Sequence, residues 1–95
     1  MKKPTSKVVV RLRLYVAGKA PNSVHAIANA KALFLEPGAS EYALEIVDLM
    51  VHPSRALTDG IIVTPTLLKV SPPPIRRVIG TLSDADEVLA ALGTK

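Results

Sequence analysis

Residues 61–80 read Ile61-Ile62-Val63-Thr64-Pro65-Thr66-Leu67-Leu68-Lys69-Val70-Ser71-Pro72-Pro73-Pro74-Ile75-Arg76-Arg77-Val78-Ile79-Gly80, and this stretch decides the fold. Two apolar runs rich in β-branched residues, 61–70 and 75–79, flank the breaker cluster 71–74. Strand-like runs separated by a short turn-forming gap predict a β-hairpin, here with a stiff connection. Pro65 interrupts the first run: it removes one ladder donor and holds Thr64 extended. A proline there belongs at an edge, at a bulge or in a cis bond, and Pro65 is the candidate cis-proline. Arg76 and Arg77 stand out in an otherwise apolar strand. Consecutive strand residues point to opposite faces, so at least one guanidinium must meet solvent or a partner.

Working outward, residues 7–17 form the first predicted strand. Val10, Leu12, Leu14 and Val16 alternate with Arg11, Arg13 and Tyr15, which predicts one buried face and one exposed or rim face. Gly18-Lys19-Ala20-Pro21-Asn22-Ser23 combines turn and helix-start chemistry. A helix is predicted to about Glu36, with Val24, Ile27, Ala30 or Lys31, and Phe34 along its packing side, and Pro37-Gly38-Ala39-Ser40 ending it. Strand 42–49 follows. Strand, helix and strand within about forty residues predict a right-handed crossover between parallel strands.

A shorter helix is predicted to begin at His52-Pro53-Ser54 and run through Leu57, closed by Asp59-Gly60. After the hairpin, Ser83-Asp84-Ala85-Asp86 resembles a helix-capping box, with acids suited to the positive end of the helix dipole. Val88, Leu89 and Leu92 supply the packing stripe, and Gly93 closes the helix. The order is βαβαββα, an α/β, thioredoxin-like arrangement with a mixed four-stranded sheet.

Composition limits what such a chain can do. Ninety-five residues make one domain, 1–95, in which 1–6 are expected to be flexible. Hydrophobic residues make up 48% of the chain but aromatic ones only 3%, so the core must be aliphatic. The net charge of +4 is spread out, and Tyr15, Phe34 and Tyr42 are scattered. With neither a dense basic stripe nor a stacking platform, nucleic-acid binding is not expected. No stretch reads as a signal core or a membrane span, so the expected setting is cytoplasmic.

Cysteine is absent. A thioredoxin-like enzyme needs a nucleophilic thiol after its first strand, and here that position holds Gly18 to Ser23. Disulfide oxidoreduction is therefore excluded. Ser23, His25 and Asp48 can be written as a triad, but residues two apart at a helix start do not face one another. His25 and His52 lack a third metal ligand, and Asp84, Asp86 and Glu87 are explained by capping. No Gly-rich phosphate loop occurs. The chain reads as a non-enzyme, with no cofactor and no metal.

Several stretches carry a family resemblance. Tyr15-Val16-Ala17-Gly18 and Pro21-Asn22-Ser23-Val24 resemble the N-terminal signature of the KaiB family of circadian-clock proteins. Thr64-Pro65-Thr66-Leu67, Lys69-Val70, Pro72-Pro73-Pro74, Arg76-Arg77, Ile79-Gly80 and Leu82-Ser83-Asp84 are similar to that family's second half. The resemblance runs from about Arg11 to Leu92. It implies a non-enzymatic regulator of the hexameric ATPase and kinase KaiC. It also implies a metamorphic chain: a tetrameric resting form, βαββααβ, and a monomeric thioredoxin-like form that docks on KaiC, sequesters KaiA and displaces the sensor domain of the kinase SasA. Two such packings must lie within a few kcal/mol of each other, roughly.

The resemblance also sets expectations for single residues. Clock members typically carry a glycine near position 91 and an acid near 93, where this chain has Ala91 and Gly93. Alanine is favoured over glycine inside a helix by about 1 kcal/mol and is depleted in strands, which biases the chain towards the monomeric thioredoxin-like form. The implied partner-binding residues are Lys69, Arg76, Arg77 and Tyr42, with His25 and Glu45 as further candidates. The family more often has basic residues at these last two positions. Glu45 reverses a charge and argues against KaiA-type binding; Thr81, where an acid is common, is another departure. The alternative is a SasA-type sensory or scaffold domain that binds another protein.

Overall fold

A computed structural model describes residues 9–35 and 41–93. Its elements follow the order β1 (Val10–Val16), α1 (Pro21–Phe34), β2 (Tyr42–Asp48), α2 (Ser54–Asp59), β3 (Thr66–Ser71), β4 (Arg76–Ile79) and α3 (Ala85–Leu92). This is the βαβαββα arrangement. The strands lie in one mixed sheet in the order β2-β1-β3-β4. β1 pairs parallel with β2, as the intervening helix requires, and antiparallel with β3; β3 and β4 form the antiparallel hairpin. The β1–β3 register shifts between Arg11 and Leu12, a bulge at one end of the central pair.

Alternation along the strands produces two unlike faces. Val10, Leu12, Leu14 and Val16 of β1, with Leu67 of β3, point to the face covered by the helices. There they meet Ala26, Ala30 and Phe34 of α1, and Val88 and Leu92 of α3. Each leucine buried in this layer contributes about 1.5–3 kcal/mol. Leu82 also enters this core although its φ is 63°, a left-handed conformation that costs a leucine about 1–2 kcal/mol and is offset by its burial. On the other face a smaller cluster, Tyr15, Val47, Ile61 and Leu68 with Leu49 and Val70 against it, is the cover among the described residues.

Several expectations are corrected in detail. Residues 61–65 were expected to belong to the first hairpin strand, but β3 begins at Thr66. Pro65 cannot donate to the ladder, and residues 61–65 instead serve as a connection that buries Ile61 and leaves Ile62 exposed. The Thr64–Pro65 bond is cis, as are Ser71–Pro72 and Pro73–Pro74. In α1, Val24 does not join the packing stripe. The buried set is Ser23, Ala26, Ala30 and Phe34, mostly small residues that let the helix lie close to the sheet, and Val24 is exposed.

α2 runs past Leu57 to Asp59 and is capped by Gly60, whose φ of 70° suits glycine. The cap of α3 is Asp84 rather than Ser83: its carboxylate accepts from the Glu87 N–H at 3.1 Å. Gly93 ends α3 at φ 75°, and Ala91 lies inside the helix. The expected helix stop at 37–40, the flexible 1–6 segment and the start of the first strand at Lys7 lie outside the described residues.

Candidate functional site

The register shows which candidate residues share a face. Leu12 pairs with Leu44 on one side and Lys69 on the other, and Lys69 pairs with Arg76, so these four form a row on the helix-covered face. One residue along, Arg13 pairs with Glu45 and with Leu68, and Leu68 pairs with Arg77. Glu45, Arg13, Leu68 and Arg77 thus form a row on the opposite, largely open face. Arg76 and Arg77 are both exposed, but they address different surroundings.

On the helix-covered side the candidates are tied to the core. Tyr42 packs edge-on against Phe34, with ring centroids 4.8 Å apart. Lys69 is only 4% exposed. A Cβ built at Gly93 would lie 4.0 Å from the Lys69 ammonium, which places this charge at the C-terminal end of α3. There the helix dipole favours a cation and offsets part of the cost of burying it. Tyr42 and Lys69 line a shallow cleft with Glu41 and the three prolines 72–74. His25 lies apart from both rows, on the exposed side of α1.

The open face carries a polar node that the sequence did not reveal. The Tyr15 hydroxyl donates to Asp59 Oδ2 at 2.6 Å. Arg55 donates to the same oxygen at 3.0 Å, and an Arg13 nitrogen lies 3.8 Å from it. The Tyr15 bond holds the Asp59 carboxyl below its ordinary pKa, with Arg55 and Arg13 adding to the effect. Burial pushes the Tyr15 phenol up, and its bond to Asp59 adds to that shift. Arg13 also donates to Glu45 at 3.1 Å, and Arg77 donates to the Gly60 carbonyl at 2.9 Å. The node fastens α2 to the sheet.

Tyr15 corrects the expectation of an exposed rim face: it is 0% exposed. The i, i+4 pair Arg55 and Asp59 was legible in the sequence; the partner forty-four residues away was not. Beyond the node the face stays open. A cleft of about 280 Å³ is lined by Arg11, Arg13, Ala43, Glu45 and Val70, together with the backbone neighbours Leu12 and Leu44. Among the described residues the Arg11 side chain makes no hydrogen bond or ion pair.

The would-be triad has other duties. Ser23 is buried and accepts from the Ala17 N–H, and Asp48 Oδ1 accepts from the Gly18 and Met50 N–H groups. Ser23 thus ties the turn after β1 to α1, and Asp48 ties it to the end of β2. No helix among the described residues is long and apolar enough to cross a membrane.

Comparison with known proteins bears on the family and the fold. The KaiB domain model matches residues 13–94. The circadian clock oscillator protein KaiB of Microcystis aeruginosa is 48% identical over 81 residues, covering 85% of this chain and 78% of that relative. The KaiB of Trichodesmium erythraeum is 45% identical over 89 residues, covering 94% and 85%. Among solved structures, the N-terminal domain of Synechococcus elongatus SasA superposes with a TM-score of 0.71 at 21% identity, covering 100% of this chain and 93% of that one. A thioredoxin of Malassezia sympodialis gives 0.67 at 17% identity, covering 92% and 76%. These two likenesses establish the thioredoxin-like fold.

Proposed function

Because the chain belongs to the KaiB family, whose named members are circadian clock oscillator proteins, we propose that it is a non-enzymatic regulatory module that docks on a KaiC-like hexameric ATPase. It modulates the phosphorylation or the signalling output of that ATPase, in a clock or in a stress response. It acts as a cytoplasmic monomer, with the homotetramer as the alternative state, and the reversed charge at Glu45 argues against KaiA as a partner. No nucleic acid, membrane or cofactor enters this function.

The observation that carries the reading is a thioredoxin-like scaffold without cysteine whose hairpin presents Arg76 and Arg77 to solvent. Exposed guanidiniums with acidic counterparts on a partner steer association and fix its register. Lys69, Tyr42, His25 and Glu45 are the remaining proposed contact residues. Ala91 and Gly93 favour the helical end of the chain that this docking form needs.

A pull-down with purified KaiC, using wild type, Arg76→Ala and Arg77→Ala, tests the reading. Capture of wild type and weakened capture of the variants are expected. Failure of wild type to be captured contradicts it. The likeness to the SasA domain supports a second reading, a sensory or scaffold domain for another protein. No KaiC binding at all favours that one, whereas KaiC binding that survives loss of both guanidiniums removes Arg76 and Arg77 from the docking surface.

A further inference from the structure

We infer that the open face of the sheet, centred on Arg11, Arg13 and Arg77, is where an acidic segment of the partner protein lies. This rests on the docking function proposed above and identifies the face that performs it. Ile61 packs with Tyr15, Val47 and Leu68, and the six-residue α2 is tied to this end of the sheet through Asp59, whereas among the described residues Arg11, Ala43 and Val70 line an open cleft. Among the described residues four guanidiniums, Arg11, Arg13, Arg55 and Arg77, share this side with two carboxylates, Glu45 and Asp59. Arg55 is held by Asp59, which also lies 3.8 Å from Arg13, and Arg13 is shared with Glu45. Among the described residues the Arg77 guanidinium bonds a backbone carbonyl and no carboxylate, and Arg11 meets no acid. The surplus charge therefore falls on Arg11 and Arg77, on either flank of the half-buried Val70 and the buried Leu68.

Charge complementarity selects the occupant. A second copy of this face would set Arg11 and Arg13 against their own counterparts, which like-charge repulsion disfavours. A nucleic acid would meet the Glu45 carboxylate in the cleft and no exposed aromatic ring for its bases to stack on. An acidic protein segment with small apolar residues matches both parts of the surface: carboxylates for the two guanidiniums, and apolar groups over Ala43 and Val70.

The test measures affinity for purified KaiC with wild type, Arg11→Glu and Lys31→Glu. The two variants change the charge equally, but Lys31 sits exposed on α1, across the sheet from the open face. Arg11→Glu should weaken binding about tenfold or more, with the loss shrinking at high salt, while Lys31→Glu stays within about twofold of wild type. Circular dichroism of Arg11→Glu should match wild type, since this side chain holds no described contact. Equal affinities for Arg11→Glu and wild type overturn the inference but leave the docking function standing. Equal losses in both variants also overturn it, because net charge alone then explains binding. Absence of wild-type binding removes the function itself. A tighter grip on a DNA duplex than on KaiC, lost in Arg11→Glu, would assign the face to nucleic acid instead.

Discussion

The two faces of the sheet differ in how their charges are used. On the helix-covered face the polar residues serve the fold: Lys69 is buried at the end of α3, and Tyr42 stacks on Phe34. On the open face Tyr15 and Asp59 serve the fold by fastening α2, while Arg11 stabilises nothing visible. A side chain that adds nothing to stability at a central strand is where a docking role is least costly to maintain. The comparison teaches that candidate residues on one hairpin need not belong to one surface, since Arg76 and Arg77 look opposite ways.

Substitutions can break or sharpen this contrast. The largest effect belongs to the helix-covered core: Leu14→Ala, at a fully buried position, should cost about 3–4 kcal/mol in urea unfolding. A loss under about 1 kcal/mol would mean that the packed layer is not where stability resides. Next comes the node: Asp59→Ala leaves the buried Tyr15 hydroxyl without its acceptor and should cost about 2 kcal/mol. The N-cap change Asp84→Ala should cost about 1 kcal/mol, seen as an earlier thermal midpoint. Ala91→Gly should cost a similar amount by propensity and raise the tetramer fraction in size-exclusion chromatography.

The node also sets a pH dependence. Asp59 has a lowered folded-state pKa, so its contribution is complete above its unfolded value of about 4 and fades as pH falls through the folded value. Tyr15 runs the other way: its raised pKa leaves its contribution complete below about 10 and lost at higher pH. Asp59→Asn should remove most of the acid-side slope in a plot of unfolding free energy against pH. An unchanged slope would show that other carboxylates control acid unfolding.

Much of this was legible in the sequence, for physical reasons. Element order follows from periodicity and breakers, so the strands, the three helices and the stop at Gly93 could be read directly. The start of β3 was misjudged because apolar composition continues through residues 61–65, whereas the ladder begins only after Pro65. Val24 was misplaced because the face of α1 that meets the sheet is built from the small residues Ser23, Ala26 and Ala30, which an apolar spacing does not single out. Tyr15 was put on a solvated face because strand alternation names two faces without saying what covers each. The Tyr15–Asp59 bond and the separation of Arg76 from Arg77 depend on tertiary pairing, which no local pattern records.

The claim underneath is a division of labour: the packed layer between sheet and helices holds the fold, and exposed guanidiniums, those of the open face above all, meet the partner. It is tested most directly by measuring unfolding midpoint and KaiC affinity on the same preparation of Arg11→Glu. The account predicts an unfolding free energy within about 0.5 kcal/mol of wild type together with binding weakened by about tenfold or more. Wild-type affinity, or a loss of affinity that only tracks a loss of stability, would contradict it.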